Sequence, residues 1–167
     1  MRALRSLIAL AALTVGAPIA AYAQPAPLPT RPYLPLEVAE TAVRACRALA
    51  EARGWNVAVA IRDAGGELLA FARMDGARAM PVQISMLKAE TAATTGRSTL
   101  DLRHIALIDS DPPHGIERLP GIVVIEGGEP IFTSGRVLVG GIGISGATPA
   151  QDGECARAAI AAIADQL

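Results

Sequence analysis

The sequence predicts an α/β domain of the α+β kind: a five-stranded antiparallel sheet with packed helices. Three observations carry this. Apolar residues recur at helical spacing in several separate segments. Between these lie short alternating or apolar runs of strand character. Short glycine turns join those runs, and turns so tight connect antiparallel neighbours. The predicted order is α-β-β-α-α-β-β-β-α, with the helices grouped against the sheet.

The first helix spans about Leu36 to Arg53. Leu36, Ala39, Val43, Cys46 and Ala50 fall on one stripe, and Gly54 supplies the stop. Asn56 to Arg62 alternates, with Val57, Val59 and Ile61 on one face. Asp63-Ala64-Gly65-Gly66 is a turn, and Glu67 to Arg73 returns as the second strand of a hairpin. Met74-Asp75-Gly76 breaks it.

A second helix runs from about Pro81 to Thr95 and ends at Gly96. Ile84, Leu87, Lys88, Thr91 and Ala92 share one side of it. Ser98 with Asp101 resembles a capping box and opens a third helix, through about Ile108. Asp109 to Gly121 reads as a loop. Ile122–Glu126, Ile131–Thr133 and Val137–Ser145 read as three further strands. Thr148-Pro149-Ala150-Gln151 starts the last helix, which is predicted to reach about Gln166.

Ahead of this domain (residues 36–167) stand two shorter segments. Residues 1–23 read as a signal peptide. Arg2 and Arg5 are its positive region, Leu7–Val15 its apolar run, and Ala21-Tyr22-Ala23 the cleavage pattern. The alternative, an anchor helix, is interrupted by Gly16 and Pro18 and falls short of the ~20 apolar residues needed to span a bilayer. Cleavage would leave Gln24 first, and no membrane span after it. Residues 24–35 carry five prolines and read as a stiff extended leader. The expected location is periplasmic or secreted.

Composition narrows the partners. The chain is 51% hydrophobic and 19% charged, which fits a globular domain and not a disordered tail. Net charge is −1, aromatics are 3%, and Lys88 is the single lysine. A nucleic-acid partner would need a basic stripe or an aromatic platform, and neither is visible.

Several candidates for chemistry can be weighed. Gly141 to Gly146 matches G-x-G-x-x-G, but only one terminal helix follows it. No acidic-ended second strand can be built, so a dinucleotide site is excluded. Glycines in a strand instead admit another backbone, a neighbouring subunit or a flat ligand. His104 and His114 are the two histidines, and imidazole can ligate haem iron or a transition metal. Ordinary surface or core roles stand beside that reading. Met74, Met80 and Met86 are also iron donors in principle, though methionine commonly fills cores. Ser145 lacks the G-x-S-x-G pattern of a hydrolase. Asp63, Glu67 and Asp75 are ordinary turn acids. No catalytic residue can be named.

Taken together, the blocks resemble the GlcG/HbpS family. Val59-Ala60-Ile61-Arg62-Asp63-Ala64-Gly65-Gly66 and Phe71-Ala72-Arg73-Met74-Asp75-Gly76-Ala77 are similar to its first block. Lys88-Ala89-Glu90-Thr91-Ala92 is similar to its helix motif, and Gly127-Gly128-Glu129-Pro130-Ile131 to its glycine-proline motif. Gly140 to Gly146 and Gln151-Asp152 complete the likeness, which spans about Leu34 to Ile163. Glu126 and Glu129 depart from the family pattern, which has glycine and valine there. The resemblance implies a profilin-like fold, homo-oligomers and, for several members, haem binding outside the cytoplasm. Other members accompany glycolate or propanediol metabolism.

The expectation is therefore an exported haem- or tetrapyrrole-binding protein acting in haem storage, sensing or degradation. Lys88 would pair with a propionate, and His114 or His104 would supply an axial ligand. Lys88 has the alternative of a salt bridge with Glu90 or another acid. A second function class is an enzyme or accessory factor for a small hydroxy acid or aldehyde. A third is a secreted scaffold whose glycines serve subunit packing.

Export also bears on Cys46 and Cys155. Disulfides persist in oxidising compartments. The first and last helices are expected side by side, since chain termini often lie close together. A Cys46–Cys155 bridge is expected on that ground, with two separately buried thiols as the alternative.

Overall fold

Helix α1 (Leu36–Arg53) buries Val38, Ala39, Ala42, Val43, Cys46 and Ala50 along one face. Gly54 ends it at φ +70°, donating its N–H to the carbonyls of Ala50 and Glu51. That left-handed conformation suits glycine. In this computed structural model, residues 28–109 and 115–167 are described. Residues 28–30 carry no helix or strand, and residues 31–167 form one compact unit. The signal segment, most of the proline-rich leader and His114 lie outside the described residues.

Strands β1 (Ala58–Asp63) and β2 (Leu68–Arg73) pair as the expected antiparallel hairpin. The Asp63 carboxylate fixes the turn by accepting the N–H groups of Gly65 and Glu67. Helix α2 (Met80–Thr95) follows, then the short α3 (Thr99–Arg103), which runs into a π turn at His104–Ile108. Strands β3 (Gly128–Phe132) and β4 (Leu138–Ser145) come next. Helix α4 (Pro149–Ala161) starts with a full capping box from Thr148 and Gln151. It ends before the expected Gln166, and a separate 3-10 turn covers Ala164–Gln166.

The sheet has four strands among the described residues, in the order β2-β1-β4-β3, every pair antiparallel. The expected fifth strand, Ile122–Glu126, is not one. Thr91 on α2 explains the difference. Its hydroxyl donates to the Gly121 carbonyl at 3.1 Å and accepts the Val123 N–H at 3.0 Å. A side chain thus takes the backbone bonds that a neighbouring strand would need, and the segment lies along α2.

The two sheet faces differ in kind. On one, Val59, Ile61, Ile131, Ile142 and Ile144 pack against α1 and α4 as the large-residue core. On the other, α2 rests on β1 and β4 through small residues. Gly143 faces the Ser85 carbonyl and the Ala89 amide, and Gly141 faces the backbone of Ala89 and Ala93. A methyl group at either glycine would collide with main-chain atoms. The strand glycines therefore admit the chain's own helix, the first of the three occupants the sequence allowed.

Helices α1 and α4 lie side by side, and a disulfide joins Cys46 to Cys155. Their Cα atoms are 5.1 Å apart, within the reach of a bridge. Both cysteines are completely buried.

Candidate functional site

The motif blocks separate into two places. The first is a buried ion pair. Lys88 lies on the sheet face of α2, yet its Nζ bonds Asp152 Oδ2 on α4 at 2.9 Å and the Ile144 carbonyl at 2.8 Å. Asp152 Oδ1 accepts the Ala147 N–H. Gly127 and Gly128 make room for this crossing: a side chain at Gly127 would overlap Lys88 Nζ and Asp152, and one at Gly128 would strike the Lys88 carbonyl and Thr99. Burial lowers the Lys88 pKa, opposed by the charges of Asp152 and Glu126. Burial likewise raises that of Asp152, opposed by Lys88.

This settles which of the two roles left open for Lys88 the fold uses within the chain. Its side chain is 1% exposed and is committed to an acid, and the acid is Asp152, not Glu90. Glu90 instead pairs with Arg62 at 3.4 Å. Beside the buried pair, Glu126 and Glu129 share the Arg157 guanidinium at 3.4 and 3.1 Å. Burial raises the Glu129 pKa despite that arginine.

The second place is an open groove at the end of the sheet. It lies where β4 runs out into Ser145-Gly146-Ala147, where Trp55-Asn56 lead into β1, and where the chain after β2 passes through Gly76 and Arg78. One part, a cavity of about 670 Å³, reaches Thr148 and Gln151 at the start of α4. A smaller, more apolar part of about 320 Å³ reaches Met80, Pro81 and Ile84 at the start of α2. Arg78, Gly146 and Ala147 line both. The larger part falls within the ~300–1,000 Å³ range of small-molecule clefts.

The fold places each groove residue for a local reason. A side chain at Gly76 would collide with the Asn56 amide, and one at Gly146 with the Asn56 carbonyl, so three separate segments converge on Asn56. Arg78 and Met80 are exposed, with Met80 at 72%. Ser145 is 6% exposed. It lies on the α2 face of β4, two residues beyond Gly143. Its hydroxyl makes no hydrogen bond among the described residues.

The predicted ligand residues do not meet here. His104 sits on the π turn, exposed, with its Nδ1 3.9 Å from Asp109, and is not part of the groove wall. Sequence reasoning passed over Trp55, Asn56 and Arg78, and it considered Met80 and Ser145 only singly. The available signal was that Arg73–Ala77 and Gly140–Gly146 both carry the family likeness, since blocks far apart in sequence that share a likeness can share a site.

An antiparallel sheet between helical layers, open to a mixed polar and apolar groove at one end, defines a small α+β domain with a single ligand-sized cleft of this kind at its β4 end. The chain belongs to the HbpS-like family: the family described as "Haem degrading protein HbpS-like" matches residues 34–161. Protein GlcG of Escherichia coli strain K12 is 33% identical over 116 residues, covering 70% of this chain and 84% of GlcG. A double mutant of HbpS from Streptomyces reticuli superposes with a TM-score of 0.73 at 33% identity, covering 89% of this chain and 97% of that one. The PduOC–heme complex superposes with a TM-score of 0.71 at 28% identity, covering 78% and 94%.

The groove can be tested against haem by its donor set. A haem presents a flat apolar ring and two carboxylates. Pro81, Ile84 and the Trp55 ring offer apolar surface, and Arg78 offers a guanidinium suited to a carboxylate. The Met80 thioether is the one soft iron donor on the described wall. These residues fit the ring and its carboxylates.

Proposed function

We propose that this chain is an exported haem- or tetrapyrrole-binding protein that takes its ligand in the groove between the starts of α2 and α4. The observation that carries the reading is the likeness to the PduOC–heme complex over 78% of the chain. The family match over residues 34–161 supports it. The groove adds an apolar wall with a cation at its middle. Bound haem would supply the iron chemistry. The chain's part is to hold the ring against Met80, Pro81 and Ile84 and to orient a carboxylate toward Arg78.

The axial donor belongs to the set His104, His114 and Met80. Titration with hemin should produce a Soret shift, and replacing each donor by Ala in turn should identify the one whose loss weakens it. An unchanged spectrum in both oxidation states would sink the reading. Export and self-association are part of the same proposal. Protein recovered from the periplasm should begin at Gln24, and light scattering should report more than one copy. The exposed Leu68 and Phe71 on the edge strand β2 support the second point.

A factor for small hydroxy acids is the second reading. It is favoured by the same arginine and by the GlcG relative.

A further inference from the structure

We infer that the α2 end of the groove is a carboxylate subsite, formed by the Ser145 hydroxyl, the Arg78 guanidinium and the N-terminus of α2. The inference rests on the reading of the groove as the ligand site, and it names the chemistry that end recognises.

The first observation is Ser145. It is 94% buried (6% exposed), lies on the face of β4 turned toward α2, and lines the smaller cavity. Buried hydroxyls normally find partners, yet this one makes no hydrogen bond among the described residues. A ligand oxygen in the cavity would complete it.

The second observation is the start of α2. The 16-residue helix is preceded by Ala79, which supplies no side-chain cap. Its first turn contains no acidic residue, so its positive end is unopposed from within the helix. In α4, by contrast, Thr148 caps the first turn and Asp152 sits within it. Arg78 stands two residues before the helix and lines the same cavity. A neutral donor, a full cation and a helix N-terminus thus surround one space whose remaining walls, Met80, Pro81 and Ile84, are apolar. That combination selects a carboxylate attached to an apolar body.

Two sources carry this group: a propionate of a haem, or the carboxylate of a small free acid. Three probes separate them. Hemin, hemin dimethyl ester and glycolate are each titrated into the full mature chain. The same titrations are run on Arg78→Ala, Arg78→Lys and Ser145→Ala, with circular dichroism and melting checking each fold.

If a propionate is the occupant, hemin binds about tenfold more tightly than its ester, as expected for loss of a charge-assisted contact. Arg78→Ala and Ser145→Ala then weaken hemin but leave the ester unchanged, and Arg78→Lys restores part of the loss. If hemin fails to bind but glycolate raises the melting temperature of the wild type and not of Arg78→Ala or Ser145→Ala, the subsite stands and the haem reading falls. Equal binding of hemin and ester, insensitivity to all three substitutions and no effect of glycolate would overturn the subsite while leaving haem binding intact. No response to any probe would overturn both.

Discussion

Lys88 Nζ and Asp152 Oδ2 meet at 2.9 Å although the residues stand on helices packed against opposite faces of the sheet. Their side chains are 1% and 4% exposed, so neither charge has water to fall back on. Removing one partner strands the other. Lys88→Met alone should cost about 3–5 kcal/mol, the usual penalty for an orphaned buried charge. Lys88→Met combined with Asp152→Asn should recover much of that, because the Asn oxygen still accepts the Ala147 N–H. A double-mutant cycle in urea measures the coupling, and simple additivity would contradict this account.

Reduction of the Cys46–Cys155 bridge should lower the melting temperature. The bridge closes a loop across 109 positions, for which chain entropy sets a ceiling of roughly 4–5 kcal/mol. Neither cysteine lines the groove, so hemin spectra of reduced but still folded protein should match those of the oxidised form. Melting curves with and without reductant, paired with spectra at low temperature, test both halves.

Gly143→Ala should be far more damaging than Gly135→Ala. At Gly143 the new methyl meets the Ser85 carbonyl and the Ala89 amide, which are main-chain atoms and cannot rotate away. Overpacking of this sort costs about 1–3 kcal/mol or more. At Gly135 the nearest atom is the Thr133 hydroxyl at 3.7 Å, an ordinary contact. Equal melting temperatures for the two variants would show that α2 does not rest on β4 as described.

Glu129 gives a pH dependence with a definite sign. Burial raises its carboxyl above the ordinary 4.5, so the folded chain holds that proton more tightly than the unfolded chain. Its contribution is full below 4.5 and is lost as pH rises through the folded value. Glu129→Gln, which does not titrate, should therefore be more stable than wild type at pH 7. The advantage should fade on acidification below 4.5. Denaturation at both pH values checks this, and a wild type more stable at pH 7 would reverse the sign.

What could be read from sequence was what is locally determined. Gly54 and Gly96 end their helices, Thr148 and Gln151 start α4, and Asp63 closes the hairpin within four residues. Ile122–Glu126 has strand composition, yet its fate depended on the Thr91 hydroxyl, about thirty residues away on a helix. The same holds for Lys88. Its position on an inner face followed from helical spacing, whereas its partner lay 64 positions along the chain. The disulfide was legible because only two cysteines exist and both fell on helices expected to adjoin. The groove was not, because Trp55, Asn56, Arg78 and Ser145 share no spacing. Only the close approach of Gly76 and Gly146 to Asn56 gathers them.

The contact between α2 and β4 has a bearing on how this protein can change over generations. Most protein layers drift by compensation, one side chain growing as its neighbour shrinks. Where peptide groups rest on peptide groups, as at Gly141 and Gly143 beneath Ser85, Ala89 and Ala93, there is no volume to exchange. Helix and strand are registered like two machined surfaces. The residues at the helix start, Arg78 and Met80 among them, are thereby free to diversify for new ligands while the frame that presents them stays at a fixed height above the sheet.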